Sequence, residues 1–226
     1  MKREAQALLL VLVGAFAIRL GWTDEHLIYV RDWVRWPLIA AGLVLLALAA
    51  GLVFSPHGDT EPAPRTAWLL FAPFVVLLLV SPPPLGADFA ERSAGTPYRD
   101  PGRAVLGLRP LPAGDPVPLA VGDFYVRARY DAGASLIGRR VELTGFVSED
   151  PEGRWYVTRF EIACCAADAI AVRVRVDGAD AAPARDTWVR VTGTWVDGSG
   201  VARRSGSPAV EADAVEEIEM PRNPYE

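Results

Sequence analysis

Long unbroken apolar runs fill the first third of the chain, and short runs of alternating apolar and polar residues fill the last part. The first apolar block runs from Ala5 to Ile18 and continues past Arg19 to Trp22. An arginine near a helix end can extend its head group to the membrane interface, so Arg19 does not break the block. The second, Pro37 to Phe54, has Trp33 and Trp36 at its start as interfacial anchors and is closed by Ser55-Pro56. The third, Ala67 to Val80, falls short of the ~20 residues that a span needs and requires the stretch through the prolines to Gly86, or a tilt, to complete the crossing. The pattern predicts a transmembrane region over 1–86, with helices at about 5–22, 37–54 and 67–86. A cleaved signal peptide is the competing reading of the first block, but Gly21-Trp22-Thr23-Asp24 is a poor cleavage site.

Between 87 and 122 prolines recur at 97, 101, 110, 112, 116 and 118, and no apolar period persists. This stretch is expected to be a Pro-rich linker. The remainder, 123–226, opens with a short helical pattern over Asp123–Ala134, with Phe124 and Ala128 on one face. Strand-like alternation follows at 140–147, 155–162, 170–176, 188–196 and 209–218. Gly145 and Gly193 lie inside two of these runs, where a glycine lets strands coil tightly around a small core. The expected fold class is therefore an α + β membrane protein, three N-terminal transmembrane helices followed by a five-stranded OB-like β-barrel.

Charge narrows the functional classes. The formal net charge is −5, which argues against a nucleic-acid partner because phosphate binding requires a basic surface. Arg154, Trp155, Arg159, Arg173, Arg175 and Trp188 could form a basic-aromatic face, but arginines alternating with valines fit a solvated strand face better. Lys2 and Arg3 precede the first helix and favour a cytoplasmic N-terminus. With three spans, the C-terminal domain would then be extracytoplasmic, in a multi-pass protein of the cell membrane.

The chemistry on offer is sparse. Both cysteines of the chain are adjacent, Cys164-Cys165, in a run of small residues, and Asp168 follows within reach. An adjacent pair closes a disulfide only through a strained ring, so free or metal-bound thiols are expected. Two thiolates and a carboxylate make an incomplete zinc set, and the β-domain has no histidine to complete it. The chain has 2 histidines, His26 and His57, both in the N-terminal loops. His57 has Asp59 and Glu61 beside it and is a candidate ligand, while His26 is expected to be solvated. No phosphate loop, nucleophile elbow or paired catalytic carboxylates occur, so no catalytic residue is assigned and the chain is not read as an enzyme.

Gly138, Gly145-Phe146, the run Arg159-Phe160-x-Ile162-x-x-Cys165-x-Ala167-Asp168 and the terminal Pro221-Arg222-Asn223-Pro224-Tyr225 together resemble the YcgQ-like family of bacterial membrane proteins. The resemblance spans nearly the whole chain and marks Arg159, Phe160, Cys165 and Asp168 as its motif, with Cys164 the more dispensable thiol. It implies an accessory subunit working with a multi-spanning permease, in a bilayer. Some relatives carry a histidine-rich loop between the second and third helices, which implies a transiently bound divalent metal such as zinc. Here that loop holds only His57. Metal ligands are thus expected among Cys165, Asp168, Cys164 and His57. Two other readings compete: a thiol-dependent redox or enzymatic protein using Cys165 at the membrane surface, and a structural membrane-tethered binding domain.

Overall fold

The computed structural model describes residues 3–54, 76, 83–93, 98, 107–179, 181–201 and 206–226. The chain forms two compact units, Met1–Pro84 and Leu85–Glu226. In the first, helix α1 (Arg3–Trp22) and helix α2 (Arg35–Phe54) are joined by two short 3₁₀ turns. They pack antiparallel, glycine to glycine. A Cβ on Gly14 would lie 2.9 Å from the Gly42 carbonyl oxygen, and one on Gly21 would lie 2.6 Å from Ile39. Small residues at such crossings let two apolar helices approach closely where no hydrophobic force drives them together.

Among the described residues one helix, Asp32–Phe54, is long and apolar enough to cross a membrane. Gln6–Trp22 is apolar but shorter. The three-helix expectation is corrected accordingly. Most of the expected third helix, 67–86, lies outside the described residues, as does His57. Trp22, Trp33 and Trp36 are exposed at one end of the hairpin, the placement that favours a membrane–water interface. His26, expected in solvent, is instead buried, with Nδ1 3.0 Å from the Leu20 carbonyl oxygen.

The second unit is built on a six-stranded mixed sheet: β1 (Val117–Pro118), β2 (Arg140–Glu149), β3 (Trp155–Glu161), β4 (Ile170–Asp177), β5 (Trp188–Trp195) and β6 (Ala209–Glu217). The order is β1-β2-β3-β4-β6-β5, with β5 also pairing to β2. The sheet replaces the expected five-stranded OB-like β-barrel. Five strands stand where the alternation placed them, but β1 lies in the proline-rich stretch and pairs parallel to β2, and β4 pairs parallel to β6. A two-residue strand has no period to read, and pairing direction is not written in a strand's own alternation.

One core lies between the sheet and helix α4 (Val121–Tyr130), formed by Val121, Phe124, Val141, Leu143, Val147, Val157, Val172, Val174, Val189 and Val191. Each such side chain contributes about 1.5–3 kcal/mol by leaving water. A second cluster covers the opposite face of β2 and β3. Here Ala87 and Ala90 of a short helix α3 (Ala87–Arg92) meet Phe146, Phe160, Ile162 and Tyr225. That second layer explains why six consecutive residues of β3 are buried instead of alternating. The stretch read as a linker thus contributes α3 and β1 to this unit.

Candidate functional site

Strand β3 ends at Glu161, and the chain turns back into β4 at Ile170. The connection is short enough that its backbone polar groups need a local partner, and Asp168 supplies it. Its Oδ1 accepts the Ala163 N–H at 2.8 Å, and its Oδ2 accepts the Cys164 N–H at 2.9 Å and the Cys165 N–H at 3.4 Å. Asp168 itself sits on a 3₁₀ turn, Ala166–Asp168, which begins as Cys165 leaves extended conformation. Three successive N–H groups converging on one carboxylate fix the loop without a bulky side chain in it.

The thiols lie on this loop. Both are free; Cys164 is exposed and Cys165 half-buried, and their sulfurs are 3.5 Å apart. One ligand atom from each of Cys164, Cys165 and Asp168 falls within 4.8 Å of the others. The structure therefore brings together three of the four residues proposed as ligands. A hydrogen bond to the Asp168 carboxylate, then one to the Cys165 sulfur, pushes the Cys164 thiol up to about 12. The same thiol contact, with the backbone N–H groups, holds the Asp168 carboxyl below its ordinary value. At neutral pH the Cys164 thiol thus keeps its proton, beside the Asp168 carboxylate and the Cys165 sulfur.

That proton marks where a cation would stand. A soft divalent metal replaces it, since thiolate rather than thiol is the ligand, and the carboxylate lone pair released from the S–H then faces the ion. Two sulfurs and one oxygen suit zinc and other thiophilic ions, whereas magnesium and calcium call for oxygen donors. Structural zinc takes four ligands, so a further donor must come from water or a partner. A catalytic thiol has a lowered pKa and a neighbouring base, so Cys164, whose shift is the opposite, is poorly suited to act as a nucleophile.

The other motif residues hold the loop's base. Phe160 is fully buried and contacts the rings of Phe89, Phe146 and Tyr225 at centroid distances of 5.6, 5.3 and 6.5 Å. Arg159 is buried over the Trp188 ring at 4.8 Å, donates from Nη2 to the Asn223 carbonyl at 2.7 Å, and has Glu226 3.9 Å from Nε. The Glu226 carboxylate caps α4 by accepting the Val121 and Gly122 N–H groups, both at 3.0 Å. Glu226 also closes a backbone pair with β3, its N–H donating to the Phe160 carbonyl at 2.9 Å and its carbonyl accepting from Ile162 at 3.3 Å. Sequence reading matched the terminal residues to a family pattern and grouped Trp188 with Arg159 on a basic-aromatic face, but found no role for Glu226.

No curated protein and no solved structure matches this chain. Residues 125–226, from within α4 through the thiol loop to Glu226, match the model of the DUF1980 C-terminal domain, an uncharacterised family.

Proposed function

We propose that this protein is a membrane-anchored accessory subunit of a permease system, and that its β3–β4 loop receives and releases a thiophilic divalent cation such as zinc as cargo. The observation behind this reading is the cluster of two sulfurs and a carboxylate within 4.8 Å on an exposed loop. A resident structural ion would be enclosed by a full ligand set; a set one donor short and open to solvent suits exchange with a partner's ligands. The apolar helix Asp32–Phe54 fits membrane association.

The test is cellular. Cells lacking the gene are complemented with wild type or with a Cys164→Ser/Cys165→Ser double variant at equal membrane abundance, and total zinc and zinc tolerance are measured. The variant should behave like the empty vector. A double variant that restores wild-type zinc content would contradict the proposal.

A further inference from the structure

We propose that the cleft at the carboxyl end of α4 is a binding site for a small oxyanion, a carboxylate or phosphate group, received by Arg127. The cleft has a volume of about 370 Å³ and is lined by Leu108, Arg109, Pro110, Arg127, Tyr130, Asp131 and Ser135. That is the size range of small-molecule pockets. Its distinguishing feature is the state of Arg127, which is 5% exposed. Nη1 donates to the Ser135 hydroxyl at 3.1 Å and Nη2 to the Arg109 carbonyl at 2.7 Å, while Nε is buried with no acceptor. Both partners are neutral.

The other arginine buried to this degree makes the contrast. Arg159 also has buried N–H groups without an acceptor, at Nε and Nη1, but it has the Glu226 carboxylate 3.9 Å away and the face of Trp188 beneath it. Among the described residues Arg127 has no ion-pair partner, and a buried cation without a counter-charge is costly. The groups around it do not remove the imbalance. Asp131 brings one carboxylate to the cleft, its Oδ2 held by the Ser135 N–H at 2.9 Å, and the end of α4 offers about half a negative charge more. Against these stand two guanidinium groups, Arg109 and Arg127. A guanidinium has five N–H donors, so Arg127 retains unused ones alongside its two bonds. Leu108 and Pro110 supply an apolar wall, and the Tyr130 side chain is half exposed beside them. An oxyanion seated here supplies the missing charge and accepts the unused N–H groups, as guanidinium recognition of carboxylate and phosphate requires.

Arg127 also ties the segment at 109 to α4, so its own variants can disturb folding; Arg109 is exposed and its side chain can be changed with the carbonyl retained. The full chain in detergent is titrated with inorganic phosphate and, separately, succinate at constant ionic strength in chloride, and the thermal midpoint is followed. A parallel arm uses bicelles with phosphatidic acid against phosphatidylcholine alone. Wild type should show a saturable rise in midpoint, with apparent affinity weakened about tenfold or more by Arg109→Glu and by Arg127→Lys. A response to phosphatidic acid alone, lost in both arginine variants, would support the site with a lipid headgroup as its source. No saturable response to any of these anions, or the same response in Arg109→Glu, would overturn the proposal.

Discussion

The Asp168 carboxylate gathers the N–H groups of Ala163, Cys164 and Cys165 and also faces the Cys164 thiol, so one side chain sets both the shape of the loop and its acidity. With its pKa near 12, the Cys164 thiol should react slowly with iodoacetamide at pH 8. Asp168→Asn keeps an acceptor oxygen but removes the charge, returning the thiol toward its ordinary range. The thiolate fraction then rises more than nucleophilicity falls, and alkylation should quicken on the order of tenfold. Mass-spectrometric rates for Cys164 check this; unchanged rates would mean the carboxylate does not control the thiol. The signs also fix the metal's pH dependence. Binding displaces a thiol proton, so apparent affinity should climb with pH, about tenfold per unit for each proton released, and be weakest in acid. The three clustered ligands were legible because adjacent cysteines and an aspartate three residues on must share a short turn. The reversal of thiol acidity was not, since it depends on where the carboxylate points.

Strand β3 and its flanking turns keep that loop in place, and two elements bear on them. The turn between β2 and β3 is fastened by Asp150. Its burial works against ionisation, but hydrogen bonds from the Tyr156 hydroxyl and from the Arg154 backbone and guanidinium prevail and lower its pKa to about 2. A carboxyl whose pKa is depressed on folding stabilises above its unfolded value, 3.8, and that contribution is lost as pH falls toward about 2. Asp150→Asn should therefore cost about 1 kcal/mol at pH 7 and little at pH 2, read from denaturant midpoints at the two values. On the outer face, α3 lays Ala87 and Ala90 against Phe160 with no room beside them. Ala90→Leu should destabilise by about 1–3 kcal/mol through overpacking, and Phe160→Ala by about 3–5 kcal/mol through the cavity it leaves. Thermal unfolding followed by tryptophan fluorescence measures both. Neither α3 nor the second layer could be read from sequence, because a helix of Ala87–Arg92 is too short to display an apolar period.

The whole chain joins an apolar hairpin to a β-domain that carries the thiol loop. The clearest span was legible from unbroken hydropathy and its flanking tryptophans, and the strands from their alternation. The topology was not: a single alternating run is compatible with a parallel or an antiparallel neighbour, and the β4–β6 pairing is settled by contacts far apart in sequence. Buried and exposed arginines also look alike in sequence. Arg127 lies one helical turn from Phe124, which puts it on the inward face of α4, and that spacing was the signal available. The most direct measurement is a cobalt(II) titration of the detergent-solubilised full chain at pH 8, following thiolate-to-metal charge-transfer absorption. The account predicts an absorption saturating near about one equivalent, abolished in Cys164→Ser/Cys165→Ser and weakened in Asp168→Asn. An absent band in wild type, or an equal band in the double variant, would contradict it.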